Sequence, residues 1–230
     1  MTVYIIIAII LLFLSFRLYV LNKKESNKLA VYFFWGLLTS GIGQVISLSV
    51  AMCYFPLQNG SFLYWGDIIG RLFLYLSAAF LIQMSLYLYF PESKKRLYIS
   101  YLYVLCGLLL FTYSATLNYQ PYFDSIGILH WQAPLNFSII YGLPLFFAWA
   151  SITILFLAEF VKSRFKSSKA LVIGIGFLLA TISGVAQDFG KTILEYLLIN
   201  LLLALGFILV FFGVFIKEKN RESLNIKKTV

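Results

Sequence analysis

The chain has 230 residues, of which 61% are hydrophobic and 12% are charged. This composition leaves no length for a soluble domain beside several membrane-spanning segments, so the sequence predicts a single polytopic membrane domain of the all-α class. The net charge of +9 lies in short segments beside the apolar stretches. It favours contact with the anionic headgroups of membrane lipids and argues against nucleic acid as a partner.

Seven stretches are apolar over the roughly 20 residues that a helix needs to cross a bilayer. In chain order they are 3–21, 29–55, 64–90, 97–117, 138–161, 170–188 and 192–216. We interpret residues 1–216 as one seven-helix transmembrane bundle and residues 217–230 as a short basic cytoplasmic tail. The first stretch has no basic segment before it and no small-residue cleavage site after it, so we expect a retained helix rather than a signal peptide.

The basic residues lie on alternate connections. Segments 22–28, 91–96 and 162–169 and the tail carry several Lys and Arg each, whereas Lys191 is the only basic residue on the other three connections. By the positive-inside rule, this pattern predicts that the N-terminus is outside and the C-terminus inside. The longest connection, 117–137, is then on the outside, and its many aromatic residues predict a lid that folds back over the outer mouth of the bundle.

A possible internal repeat relates the second and sixth helices. Ser40-Gly41-Ile42-Gly43-Gln44 is similar to Ser183-Gly184-Val185-Ala186-Gln187, and both segments have the same predicted orientation. The likeness suggests a 3+1+3 arrangement of parallel repeats, as in sugar transporters of the SWEET type, with a binding site between the halves. Coincidence is the other interpretation, because small residues recur in membrane helices wherever two helices approach closely.

Polar side chains gather toward the predicted outer side of the bundle. Asp67 and Arg71 are four residues apart on the third helix and therefore share one face. A charge at membrane depth costs about 2.5–3.5 kcal/mol on insertion scales, so each charged side chain needs a partner, an aqueous cavity or a way to snorkel to the interface. We predict a small-ligand pocket on the outer side of the bundle. Its candidate ligand-binding residues are Gln44, Asp67, Arg71, Trp131, Gln187, Asp188, Lys191 and Glu195.

A purely structural interpretation of the same charges is also open. Asp67 would pair with Arg71, and Lys191 would pair with Asp188 or Glu195, so that the network only stabilises the bundle. Gln83, deeper in the third helix, is interpreted as an interhelical hydrogen-bonding residue rather than a ligand contact.

The sequence contains no recognisable catalytic, metal or cofactor motif. Residues 192–216 contain no lysine for retinal attachment, and the single histidine, His130, cannot supply paired haem or metal ligands. We therefore expect no cofactor and no enzymatic activity. A membrane enzyme using Asp67, Asp188 and Glu195 as acids is the alternative.

The segment from Tyr64 to Arg96 begins with Tyr-Trp-Gly-Asp-Ile-Ile-Gly-Arg-Leu-Phe and ends with Tyr-Leu-Tyr-Phe-Pro-Glu-Ser-Lys-Lys-Arg. It resembles the third span of the seven-helix sensor modules that form the N-terminal input region of bacterial histidine kinases and cyclases. The resemblance implies a sensor-like or accessory protein of a prokaryotic plasma membrane, with an outward-facing pocket for a small ligand. The 230 residues include no kinase or cyclase, so we expect a signalling partner in trans. A small-solute transporter and a noncatalytic subunit of a membrane complex are the alternatives.

Overall fold

The computed structural model describes residues 2–25, 28–57, 60–117, 119, 122–123, 129–130, 133–187, 189–190 and 192–216. Within these ranges the chain forms seven helices and one two-stranded antiparallel hairpin. The helices are α1 (Thr2–Glu25), α2 (Lys28–Leu57), α3 (Gly60–Tyr89), α4 (Lys95–Ser114), α5 (Leu135–Lys162), α6 (Ser168–Ala186) and α7 (Ile193–Phe215). The hairpin strands, β1 (Tyr122–Phe123) and β2 (Leu129–His130), lie between α4 and α5.

Six of the helices, α2 to α7, are long and apolar enough to cross a membrane. Even the shortest of them, α6 with 19 residues, extends about 29 Å, close to the thickness of a hydrocarbon core of about 30 Å. The first helix carries a shorter apolar segment, Tyr4–Val20. These lengths and compositions confirm the prediction of an all-helical, multi-pass membrane protein.

The helices extend beyond the apolar stretches at several ends. α1 continues through Lys23 and Lys24 to Glu25, where the sequence predicted a loop from Asn22. Lys and Glu are good helix formers, so helical backbone does not stop where hydrophobicity stops. α3 also begins earlier than predicted, at Gly60 instead of Tyr64. α5 begins at Leu135, directly after Pro134, instead of Ser138.

Six helices form a closed ring in chain order, and α4 lies outside it. Around the ring α1 packs on α2, α2 on α3, α3 on α5, α5 on α6, α6 on α7 and α7 on α1. At the α1–α7 junction the guanidinium of Arg17 lies 3.8 Å from the centre of the Phe215 ring. α4 packs chiefly on α3 and remains largely exposed to the surroundings of the bundle.

Glycines allow the closest helix contacts. A Cβ atom built on Gly206 of α7 would lie 2.7 Å from the backbone nitrogen of Ala180 on α6, so the two backbones touch directly. A Cβ built on Gly107 of α4 would lie 2.7 Å from the Cβ of Tyr75 on α3. Both contacts use the absence of a side chain to bring helices together, as is common in membranes.

Hydrogen bonds join α3 to three neighbouring helices. The Ser77 hydroxyl donates to the Gly36 carbonyl on α2 at 2.7 Å, and the Ser100 hydroxyl on α4 donates to Oε1 of Gln83 at 2.7 Å. The Ser85 and Ser151 hydroxyls, 2.8 Å apart, join α3 to α5. The interhelical role predicted for Gln83 is therefore confirmed, and α3 is the helix that organises its side of the ring.

The two ends of the ring differ in packing. We call the end near β1 and β2 the hairpin end, and the end near segments 91–96 and 162–169 the basic end. The half of the ring toward the basic end is filled with buried apolar side chains, which we call the apolar plug. It comprises Leu11, Leu14, Phe33, Leu37, Leu81, Met84, Ile152, Ile173, Phe177 and Val210.

Candidate functional site

A cavity of about 140 Å³ lies inside the ring, in the half toward the hairpin end. Every ring helix contributes to its wall, whereas α4 contributes none of the lining residues. The polar part of the wall consists of Tyr4, Ser40, Gln44, Ser47, Asp67, Arg71, Tyr141, Thr181 and Gln187. The larger apolar side chains are Leu74, Leu145, Phe146, Trp149, Leu203 and Phe207, of which Trp149, Leu203 and Phe207 also pack on the apolar plug.

The charged part of the wall is one ion pair on α3. Nε of Arg71 donates to both carboxylate oxygens of Asp67, at 2.8 and 2.9 Å. Asp67 is 5% exposed and Arg71 is 8% exposed, so the pair is shielded from lipid as well as from bulk water. The predicted interaction between these two residues is confirmed, and both also line the cavity.

Tyr119, from the connection between α4 and α5, reaches the same carboxylate. Its hydroxyl donates to Oδ2 of Asp67 at 2.6 Å, and its side chain is buried. Burial, reinforced by the negative charge of Asp67, raises the pKa of Tyr119, so the hydroxyl remains a donor at neutral pH. At this residue the connection does fold back onto the bundle, as the lid prediction requires, while the greater part of the connection lies outside the described residues.

Aromatic rings cover the other side of Arg71. Its guanidinium lies 4.6 Å from the centre of the Tyr141 ring and 5.6 Å from that of Phe137, both on α5. The two rings stack with their centres 5.8 Å apart. Arg71 is therefore held between a carboxylate on its own helix and an aromatic face on α5, which is a favourable cation–π geometry.

The cavity-lining part of α5 is anchored around Pro144. Proline lacks an N–H, so the carbonyl of Ile140 loses its usual helical donor, and the helix is weakened there. Two hydroxyl groups bind to this region from neighbouring helices: Tyr75 donates to the Tyr141 carbonyl at 2.8 Å, and Tyr103 donates to the Pro144 carbonyl at 3.1 Å. These bonds hold in place the helical turn that carries Tyr141 and Leu145.

The two glutamines of the similar segments both line the cavity. Nε2 of Gln187 donates to Oδ1 of Asn200 on α7 at 3.3 Å, and Asn200 in turn donates to the Tyr196 carbonyl at 2.8 Å. Oε1 of Gln44 is buried and accepts no hydrogen bond from the described part of the chain. A buried acceptor without a donor costs about 1–3 kcal/mol.

The other candidate residues do not add to the described wall. Glu195 is exposed and caps α7: its backbone N–H donates to the Thr192 hydroxyl at 3.2 Å, and its carboxylate accepts from the Thr192 N–H at 2.9 Å. This reciprocal capping explains why an acidic residue stands in the first turn. Trp131, Asp188 and Lys191 lie outside the described residues, as does any pairing of Lys191 with Asp188.

Several lining residues were not among the predicted ones. The sequence does not distinguish the aromatic lining residues Tyr141, Trp149 and Phe207 from core residues. The chain has 16 Tyr, 23 Phe and 4 Trp, and the spacing of an aromatic residue along a helix is the same whether it lines a cavity or packs in the core. Asn200, which binds Gln187, could have been found: it is the only amide side chain in residues 192–216, within a span whose other residues are almost all apolar.

The described wall offers contacts for binding rather than a set of reacting groups. It combines amide and hydroxyl groups, aromatic faces and an ion pair whose charges cancel. Among the described residues, no three His, Cys, Asp or Glu side chains come together as a metal site would require. Comparison with protein-family models, with curated proteins and with solved structures finds no match to this chain.

Proposed function

We propose that this chain is a sensor-like membrane protein that binds a small ligand in the cavity of the hairpin half. The observation that carries the proposal is that all six ring helices line this one cavity, with polar and aromatic groups both represented. A ligand there contacts α1 to α3 and α5 to α7 at once. Ligand binding therefore favours the arrangement of the ring helices that binds the ligand most tightly. A partner that recognises this arrangement then responds to the bound ligand.

The packing along the ring supports a sensor over a carrier. The apolar plug fills the half toward the basic end with side chains such as Leu37, Leu81 and Phe177, each at most 1% exposed. The plug therefore separates the cavity from the basic end in this arrangement, whereas a transporter exposes its site to each side in turn. The resemblance of Tyr64–Arg96 to sensor modules supports the same choice, since Asp67 and Arg71 of that segment line the cavity.

The proposal includes the orientation given by the basic segments. The basic end lies in the cytoplasm of a prokaryotic cell, and the hairpin end lies outside. α1 crosses the membrane as well, so that the chain has seven spans. The pocket then faces outward. The sensor acts on a signalling partner in trans at the cytoplasmic face.

Cysteine accessibility tests one-sided access. Gly184 lines the cavity, and a Cβ built on it meets no atom within 4 Å, so Gly184→Cys places a thiol in the cavity without a clash. In a background with Cys53→Ser and Cys106→Ala, a membrane-impermeant maleimide should label this thiol in right-side-out vesicles and not in inverted vesicles. Ile173→Cys, in the plug and 2% exposed, is the matched control that should stay unlabelled from both sides.

A small-solute transporter is the second candidate, and the order of helix contacts around the ring is the observation in its favour. The contacts α1–α2, α2–α3 and α3–α5 correspond to α5–α6, α6–α7 and α7–α1, as a two-fold relation between parallel repeats requires. Gln44 in α2 and Gln187, directly after the end of α6, come from the two similar segments and both line the cavity. Labelling of Gly184→Cys from both sides of the membrane would replace the sensor proposal with this one.

A further inference from the structure

We infer that an anionic phospholipid of the leaflet at the basic end binds at the junction of α1 and α7, with its phosphate on Arg17 and an acyl chain on the neighbouring phenyl rings. The site lies on the outer surface of the ring and is separate from the cavity. Three observations carry it: the N–H donors of Arg17, the depth of this residue, and the order of polar and apolar groups along the junction.

Arg17 is a half-buried cation whose hydrogen-bond donors find no acceptor within the described part of the chain. The ring of Phe215 covers its guanidinium at 3.8 Å, which stabilises the charge. The face of a ring does not replace an oxygen acceptor, and arginine has five N–H donors. Arg71 and Arg96 differ in this respect, because Arg71 donates to a carboxylate and Arg96 to two backbone carbonyls.

The depth of Arg17 brings an anion of the membrane within its reach. The residue belongs to the apolar segment Tyr4–Val20 and lies three residues before the end of that segment, or about 4.5 Å along the helix. A long arginine side chain at this depth extends to the headgroup layer. The planar guanidinium binds a phosphate there through two parallel hydrogen bonds. A lipid phosphate is therefore the acceptor that this position meets in a membrane.

Apolar rings continue the site toward the middle of the bundle. Phe13 lies four residues before Arg17 on α1, about 6 Å deeper, and Phe211 has the same relation to the ring partner of Arg17 on α7. The ring centre of Phe13 lies 5.6 Å from that of Phe211 and 6.2 Å from that of Phe215, and Phe13 is 47% exposed. The junction thus presents a cation at headgroup depth and an exposed phenyl surface below it. This order matches a phospholipid, whose phosphate lies above its acyl chains.

The charge of the site favours a headgroup with a net negative charge. Phosphatidylglycerol brings a phosphate and no cation to Arg17. Phosphatidylcholine brings the same phosphate together with a quaternary ammonium group, which repels the guanidinium and weakens the attraction. The basic segments 91–96 and 162–169 lie at the same end of the bundle and attract anionic lipid to this leaflet.

Native mass spectrometry of the full chain in detergent resolves individual bound lipids and tests the inference. The unmodified protein should retain one phosphatidylglycerol more tightly than a phosphatidylcholine with the same acyl chains, and equal retention would refute the anionic class. Arg17→Gln should weaken this binding about tenfold, as expected for the loss of a hydrogen bond between charged groups.

Arg96→Gln is the matched control for that measurement. It removes a cation at the same end of the bundle, but one whose donors already have carbonyl acceptors, so lipid binding should stay unchanged. Equal losses in Arg17→Gln and Arg96→Gln would show a general attraction to the basic end and would overturn the site.

Thermal unfolding separates lipid binding from a purely structural role of Arg17. Phosphatidylglycerol should raise the melting temperature of the unmodified protein more than that of Arg17→Gln, because a ligand stabilises the state that binds it. Without lipid, the two proteins should unfold at similar temperatures, since glutamine replaces a cation that has no acceptor there. If Arg17 only packs on Phe215, the substitution lowers the melting temperature equally with and without lipid, and that result refutes the inference.

Other occupants of the site give different results. If Glu218, which lies outside the described residues, is the partner of Arg17, lipid binding is the same in the unmodified protein and in Arg17→Gln, and the inference is wrong. If a free anion is the ligand, excess inorganic phosphate displaces the phosphatidylglycerol, which also overturns it.

Phe215→Leu tests the geometry of the site. It keeps an apolar side chain at the end of α7 but removes the ring that holds the guanidinium, so phosphatidylglycerol binding should weaken severalfold. Unchanged binding in this variant would contradict the placement of the phosphate beside the stacked Arg17.

Discussion

The hydroxyl of Tyr119 lies 2.6 Å from Oδ2 of Asp67, so a residue between α4 and α5 is bound to the buried ion pair of α3. The contact crosses 52 residues of sequence. It joins the connection between α4 and α5 to a carboxylate of the cavity wall. A substitution at either residue should therefore change the hydrogen bonding of the other.

Tyr119→Phe should lower the free energy of unfolding by about 1.5–3 kcal/mol, the range for a hydrogen bond to a charged group. The phenyl ring retains the packing against Tyr64, whose ring centre lies 5.1 Å away, so the loss reports the hydroxyl alone. Thermal unfolding in detergent at neutral pH measures it. An unchanged stability would show that the Asp67 carboxylate does not depend on this donor.

Tyr119 should also make stability depend on alkaline pH. Because the pKa of Tyr119 is raised in the folded protein, the unfolded chain ionises first, above about pH 10, and the folded state then holds more protons. Stability is therefore retained below that pH and falls as the pH rises, by up to about 1.4 kcal/mol per pH unit from this group. Unfolding measured between pH 9 and about 11 should show a shallower decline for Tyr119→Phe than for the unmodified protein.

Removing one member of the ion pair should cost more than removing both. Arg71→Ala leaves Asp67 buried without its cation, and we expect a loss of about 3–5 kcal/mol. The double variant Asp67→Asn with Arg71→Gln removes both charges, keeps a polar side chain at each position and should recover much of that loss. A double-mutant cycle of Asp67→Asn, Arg71→Gln and both together measures the coupling, and simply additive losses would contradict it.

Two glycines provide a matched pair for helix packing. Gly206→Ala forces a methyl group against the backbone of α6 and should destabilise the bundle by about 1–3 kcal/mol. Gly184→Ala makes the same chemical change in an open space, and the better helix propensity of alanine should leave stability equal or up to about 1 kcal/mol higher. Thermal unfolding of both variants decides it, and equal effects would refute the contact between α6 and α7.

Reporter fusions test the orientation. Fusions after Ser26, Ser93, Ser167 and Val230 should all report the cytoplasm, because the basic segments beside the first three sites and the basic tail are retained inside. A fusion after Gly60, at the start of α3, should report the outside. Two discordant sites would overturn the orientation.

The sequence predicted the structural features that depend on residues close together in the chain, namely the helices and the contacts within one helix. Apolar stretches predicted the helices, and the spacing of Asp67 and Arg71 predicted their contact, because residues four apart on a helix are neighbours. The order of the ring and the exclusion of α4 depend on which helix faces meet, and α4 is as apolar by composition as α3. Tyr119 and Tyr141 meet the ion pair through tertiary packing, and nothing in their own sequence surroundings distinguishes them from the other 14 tyrosines.

The place of α4 outside the ring has an evolutionary consequence. A helix that contacts the bundle along one side has few neighbouring side chains. Most of its surface residues can therefore be replaced as long as the helix stays apolar enough for lipid. In relatives of this chain, substitutions should accumulate faster along α4 than along the ring helices. The exceptions should be Gly107, Ser100 and Tyr103, whose contacts with α3 and α5 leave them little latitude.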